Sequence, residues 1–204
     1  GNLTRKTAKR DGLTSVYDYD PLDRLIAARE WRYPWQAASA AGQTGPVTAT
    51  STGIQSGTPT MAAYYTYDPE GRRTAKIVNG VITYYAYDGV NLAAEYNASG
   101  TIIARYIHTP GSVDRPLAMQ RGGQTFYYVY DAHGSVIALT NAEGRPVQRY
   151  EYDSYGRITL SEGNVPNPYT YTGREYDPET GLYYYRARYY DPDTGRFLQQ
   201  DPVW

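Results

Sequence analysis

Two groupings in this 204-residue chain bring together residue types able to do chemistry. Asp131, His133 and Ser135 place a carboxylate, an imidazole and a hydroxyl within five positions, the set that a serine hydrolase uses. Asp191-x-Asp193-x-Gly195 sets out oxygen ligands at the spacing with which a calcium loop begins. Neither grouping completes. Neighbours in one turn cannot all aim at a single substrate, and no Gly-x-Ser-x-Gly elbow exists. A calcium loop of the EF-hand kind needs a third oxygen ligand at its fifth position and Glu at its twelfth. Gly195 and Pro202 stand there instead. The one further histidine is His108 and cysteine is absent, so a zinc ligand set cannot be assembled. No carboxylate pair marks a glycosidase, and no glycine-rich loop precedes a helix. The expectation is a protein that is not an enzyme and holds no metal or cofactor.

A third grouping is denser. "LYYYRARYY" (Leu182–Tyr190) carries five tyrosines and two arginines, and could present stacking faces with phosphate-binding cations. A net charge of −1 and a pI near 6.2 give no pull toward nucleic acid or an anionic membrane. Tyrosines packing across strands, with arginines lying over their rings, explain the same residues. Read at period 2, Tyr183, Tyr185, Ala187 and Tyr189 share one face, and Tyr184, Arg186, Arg188 and Tyr190 the other. An aromatic surface of this kind also suits glycans.

The elements that must position these residues are strands and turns. The chain has 25 Tyr, 20 Gly and 13 Pro, against 2 Phe and 3 Trp. Tyrosine is a good strand former with an apolar body and a polar tip, so it tolerates a partly wet sheet. Turn signals recur at Asp68-Pro69-Glu70-Gly71, Asn79-Gly80, Asp88-Gly89, Asn97 to Gly100, Gly122-Gly123, Asp131 to Gly134, Asn141 to Gly144 and Asp153 to Gly156. Between them lie short runs such as "VITYYAY", "TFYYVY" and "VQRYEY", rich in β-branched and aromatic residues. One strand and one turn fill each interval of about ten residues, so two intervals make a hairpin repeat. "RLIAAREWRY" reads as a strand rather than a helix. Residues 36–60 are small and polar with no aromatic, and read as a linker or long loop. No apolar run approaches the roughly 18 residues of a membrane-spanning helix. The fold expected is all-β, an antiparallel array of hairpins forming a curled sheet.

Tyr-Asp itself recurs, at Tyr17-Asp18, Tyr67-Asp68, Tyr87-Asp88, Tyr130-Asp131, Tyr152-Asp153, Tyr176-Asp177 and Tyr190-Asp191. This pattern resembles the YD-repeat, or Rhs, family. "YDPETGLYYYRARYYDPDTGRFLQQDP" (Tyr176–Pro202) is similar to the core motif that closes the repeat region in that family. The resemblance divides the chain into N-terminal repeats (1–35), the loop or linker (36–63), regular hairpins (64–175) and the core motif (176–204). Within the motif it marks Tyr176, Asp177, Pro178, Gly181, Tyr183, Tyr185, Arg186, Arg188, Tyr189, Tyr190, Asp191, Pro192, Gly195, Phe197, Asp201 and Pro202 as structural residues.

The resemblance implies a β-shell that spirals around a C-terminal toxin, as in bacterial polymorphic toxins and insecticidal toxin complexes. Related shells in teneurins act in adhesion. Family members often cut themselves downstream of the core, a step that maps onto no residue of this sequence. The expected partners are the rest of a longer Rhs chain or copies of this one joined edge to edge into a filament. An enclosed toxin domain and glycans complete the set. A tyrosine-lined concave face would hold the cargo. The expected location is outside the cell or on its surface, reached by export signals not contained in these residues.

Overall fold

The computed structural model describes residues 2–8, 13–32 and 58–201. Thirteen strands follow one another as an antiparallel meander, each pairing with the next. They are β1 (Arg5–Ala8), β2 (Leu13–Tyr19), β3 (Leu25–Arg32), β4 (Met61–Tyr67), β5 (Arg73–Val78), β6 (Val81–Asp88) and β7 (Asn91–Asn97). The series continues with β8 (Ile102–His108), β9 (Pro116–Arg121), β10 (Gln124–Tyr130), β11 (Val136–Thr140), β12 (Pro146–Tyr152) and β13 (Ile158–Gly163). A second, four-stranded antiparallel sheet comprises β14 (Glu175–Asp177), β15 (Leu182–Tyr184), β16 (Tyr189–Asp191) and β17 (Arg196–Phe197). A short 3-10 turn at Tyr171–Gly173 leads into it.

The all-β reading holds, and Leu25–Arg32 of the stretch read as a strand forms β3 as expected. The sheet also runs on across the small polar segment, because Ala28 of β3 lies opposite Ala63 of β4. Strand β4 begins at Met61, three residues before the boundary read from composition. Most of 36–63 lies outside the described residues.

One turn design recurs at Asp20, Asp68, Asn97, Asp131, Asn141 and Asp153. The N–H of the third residue on bonds back to the Asx carbonyl, and the Asx N–H bonds to the carbonyl four residues on. This is a type I turn closed by a left-handed residue. Glycine supplies that residue at 71, 100, 134, 144 and 156, and Asp23 supplies it in the first turn with φ 60°. The Asx side chain fixes the loop, since Asp131 Oδ1 accepts from the N–H of His133 and Ser135 at 2.9 and 2.8 Å. The same acceptor role falls to Asn97 and Asn141. Asn79-Gly80 and Gly122-Gly123 instead make two-residue hairpins with both φ positive.

Each repeat also carries a β-bulge. The register slips beside Tyr19–Leu25, Tyr67–Arg73, Tyr87–Leu92, Tyr96–Ile102, His108–Pro116, Tyr130–Val136, Thr140–Pro146 and Tyr152–Ile158. A bulge bends and twists its strand. Six of these eight sit at one end of the meander, where even-numbered strands hand over to odd-numbered ones. The tyrosines there reach back across the preceding strand and donate to the carbonyl at its start. Tyr67 reaches Leu25, Tyr87 reaches Arg73, Tyr130 reaches Pro116 and Tyr152 reaches Val136, at 2.5–2.9 Å. His108 fills the same position, with Nε2 2.9 Å from the Leu92 carbonyl. It is a repeat tyrosine in another form.

The bends add up to a curl. Laid flat, thirteen strands would separate β1 from β13 by roughly 57 Å at the usual spacing. Here Lys6 of β1 pairs with Asp191 at 2.8 Å, and the adjacent Tyr190 donates to the Tyr155 carbonyl in the β12–β13 turn at 2.9 Å. Opposite ends of the sheet therefore meet at two consecutive residues of β16. Strands β1 and β13 do not pair with each other, so the sheet is curled but not closed. Two hydrophobic clusters fill the inside. Tyr17, Leu25, Ala28, Met61, Ala63 and Tyr65 pack against Leu182, Tyr184, Tyr189 and Leu198 of the C-terminal segment. Leu92, Tyr106, Met119, Phe126, Val136, Leu139 and Tyr150 pack around Tyr169. The tyrosine-lined inner face expected to hold cargo is thus covered, over these strands, by the chain's own C-terminal segment.

Candidate functional site

The second sheet seats itself through one buried charge cluster. Strand β5 begins with Arg73, whose side chain is 1% exposed. Its guanidinium meets Asp177 Oδ2 at 2.5 Å and Glu175 Oε2 at 3.0 Å. Lys76, on the same strand, meets Asp177 Oδ1 at 2.8 Å and Glu179 Oε1 at 2.9 Å. Rings surround the guanidinium, with the centroids of Tyr184, Tyr85 and Tyr65 at 4.6, 5.0 and 5.5 Å. The Tyr189 hydroxyl accepts a further bond from Arg73 at 3.2 Å, and the Tyr184 hydroxyl accepts from its backbone N–H at 3.0 Å. Guanidinium suits the place because it is planar, weakly hydrated and able to fork across two carboxylates while stacking on rings.

The electrostatics follow from burial and charge. Burial pushes Asp177 up, but Arg73 and Lys76 outweigh it and hold this carboxyl below the usual range. Burial pushes Glu175 up to about 7, with Arg73 opposing and Asp177 adding to the rise. Glu179 is raised by burial and then by Asp177. A smaller cluster lies deeper in the large sheet, where buried Glu95 accepts from the Tyr106 hydroxyl and from Arg121. A third joins Asp114 to Arg174 and to Arg186.

The core-motif residues read from the sequence are brought together, though in another arrangement. "LYYYRARYY" is not one strand. It folds as a hairpin, with Tyr183 opposite Tyr190 and Tyr184 opposite Tyr189. Arg186 turns the chain with φ 64°. The period-2 faces are corrected accordingly: Tyr183 and Tyr190 share one side, Tyr184 and Tyr189 the other. Tyr183 donates to the Gly156 carbonyl at 2.7 Å, and its ring lies 4.9 Å from that of Tyr176. The hydroxyls of Tyr185 and Thr172 are 2.7 Å apart. Arg186 spans to Asp114 and the Val90 carbonyl, while Arg188 lies 3.8 Å over the Phe197 ring and pairs with Asp201. Asp191 is buried and bonds Lys6 and the Thr194 hydroxyl, and Pro192 is buried beside it. Gly181 and Gly195 hold left-handed conformations in their turns, and Pro178 is exposed. Pro202 lies outside the described residues.

Sequence reading missed Arg73, Lys76, Glu175 and Glu179. A signal for Arg73 existed. Strand starts repeat as Leu25-Ile26-Ala27, Leu92-Ala93-Ala94 and Val136-Ile137-Ala138, and Arg73-Thr74-Ala75 puts a cation in the apolar first place. Asp131, His133 and Ser135 form no catalytic set. The Asp131 side chain caps backbone N–H groups, His133 is exposed, and Ser135 Oγ accepts from the Thr172 N–H. Asp193 pairs with Lys6, which fills the place a cation would take beside Asp191.

This meander of bulged tyrosine strands, plugged by its own C-terminal hairpins, matches the teneurin YD-shell family model over residues 1–204. The chain belongs to the teneurin YD-shell family. A tRNA3(Ser)-specific nuclease, WapA of Bacillus spizizenii, is 36% identical over 197 residues, covering 93% of this chain and 8% of that protein. The double-stranded DNA deaminase toxin A of Burkholderia cenocepacia is 24% identical over 219 residues, covering 92% of this chain and 15% of the toxin. Among solved structures, the Photorhabdus luminescens Tc holotoxin pore superposes with a TM-score of 0.63 at 20% identity, over 98% of this chain and 9% of that one. This YD-shell chain therefore corresponds to a small part of each of these proteins. As a YD-shell segment it is a structural scaffold of the Rhs type. No helix among the described residues is long and apolar enough to cross a membrane.

Proposed function

We propose that this chain is a non-catalytic wall segment of a toxin-enclosing shell. Its core motif seals one end of the curl, and the effector lies elsewhere in the longer protein. The observation that carries the reading is the double attachment of β16, which binds Lys6 at one edge of the sheet and the β12–β13 turn at the other. Such a segment closes space without offering a reactive site. The relatives support the same division of labour. One is named for cutting tRNA and another for deaminating DNA, yet both share this stretch. A segment common to two chemistries specifies neither. Partners on this reading are the flanking Rhs chain and an enclosed toxin domain, in a protein delivered outside the cell.

Imaging and protease protection of the full-length protein test the proposal. A hollow particle whose effector resists protease until the wall is denatured is expected. An effector digested as fast as its isolated form would overturn it. A second reading, edge-to-edge filaments, draws on the outer edges of β1 and β13, which have no partner strand among the described residues. Long filaments built from a 22.9 kDa species would favour it.

A further inference from the structure

Three carboxylates meet two cations where the second sheet docks. Glu175, Asp177 and Glu179 come from β14 and its turn, Arg73 and Lys76 from β5. A buried group with one negative charge too many is relieved by binding a proton. Asp177 is the last to take it, because one of its oxygens faces each cation. Glu175 has a single contact to one guanidinium nitrogen, and Glu179 a single contact to Lys76. These two are the proton acceptors.

Among the described residues, the other titratable groups packed against the cluster are phenols and two further carboxylates, with His108 of β8 behind the Tyr169 ring at 6.2 Å. The elements packed against the cluster contribute Tyr65 and Tyr67 from β4, Tyr85 and Tyr87 from β6, Tyr184 from β15, Tyr189 from β16, and Tyr169 from the preceding loop. Burial raises every one of these phenols further above its ordinary value. Glu95 of β7 and Asp114 act on Glu175 through their charge, and both favour its protonated form.

We propose that this cluster is a proton-controlled latch between the two sheets, tight in mildly acidic solution and slacker once the pH passes neutrality. The inference is independent of the shell reading, since it concerns only how the second sheet is held. The sign follows from linkage. Undocked, Glu175 titrates near 4.5; docked, it titrates at about 7. The docked state thus gains a proton relative to the undocked one between those values. The contribution of Glu175 to docking is complete below about 4.5, weakens as pH rises through 7, and then levels off. Glu179 is shifted the same way, whereas Asp177 acts only in stronger acid.

Hydrogen exchange of the intact protein provides the test, read as protection factors so that the intrinsic pH dependence of exchange cancels. Amides of β14 and β15 are compared with those of β10 and β11, which belong to the large sheet. For a single linked proton, the opening constant of β14–β15 rises about tenfold per pH unit between roughly 5 and 7 and flattens above. The β10–β11 amides do not follow. Glu175→Gln, a neutral isostere, is expected to remove most of that slope, and Glu179→Gln a smaller part. Wild-type protection that is flat from pH 5 to 8, or equal slopes in both pairs of strands, overturns the latch without any variant. A Glu175→Gln protein that folds and keeps the full slope overturns it as well.

Discussion

Arg73 of β5 and Asp177 of β14 stand 104 positions apart and share a buried ion pair of 2.5 Å. Arg73 occupies the strand-start place that Leu25, Leu92 and Val136 hold in other repeats. The large sheet has thus given up one apolar core position to hold the second sheet by charge. Truncating one partner leaves the other charge buried and unpaired, at a cost of about 3–5 kcal/mol. Arg73→Leu should therefore destabilise the protein by that amount in urea unfolding. Adding Glu175→Gln and Asp177→Asn should recover a good part of it. If Arg73→Leu alone is neutral, the repeat's apolar preference outweighs the pair.

Asp131 tests whether charge or geometry matters in the repeat turns. Its Oδ1 accepts two backbone N–H groups, as Asn97 and Asn141 do in their own turns. Asp131→Asn should stay within about 0.5 kcal/mol of wild type, while Asp131→Ala should cost about 1 kcal/mol through the lost turn bonds. Equal losses in thermal or urea melts would mean that the carboxylate charge, not the acceptor, sets the turn.

The repeat tyrosines predict a small and local effect. Tyr152→Phe removes the hydroxyl that reaches the Val136 carbonyl at 2.6 Å and keeps the ring in its place. A loss of about 0.5–1.5 kcal/mol is expected. Exchange should rise first at β11 and β12, with β2–β4 unchanged.

Gly173 and Gly144 separate backbone conformation from crowding. Both have positive φ, 69° and 74°. A Cβ at 144 meets nothing within 4 Å, whereas one at 173 falls 2.6 Å from the Asp114 carbonyl oxygen. Gly144→Ala should cost about 1 kcal/mol, the price of the left-handed conformation alone. Gly173→Ala adds a backbone clash beside the loop that leads to the second sheet, and about 3 kcal/mol is expected. Comparable losses for the two substitutions would show that the Asp114 backbone yields freely.

Much of this was legible in the sequence because the turns are local. Asp68-Pro69-Glu70-Gly71 states its own conformation: proline sets one φ, glycine permits another, and the aspartate binds the N–H groups within reach. With turns fixed every ten residues, the tyrosine-rich runs between them had to be short antiparallel strands. The recurrence of Tyr-Asp and the "YDPETGLYYYRARYYDPDTGRF" stretch then identified the family. Three things needed the tertiary structure. The hairpin inside "LYYYRARYY" turns at Arg186, a residue with no turn preference, so no local signal marked it. The curl is a sum of bulges that each look like one more strand residue in the sequence. The buried cluster joins charges 101–104 positions apart, and an isolated Arg73 or Glu175 reads as a solvated strand residue until the opposite sheet removes the water. Local steric preference is written residue by residue; which distant charges share a dry interior is decided only when the sheet curls around them.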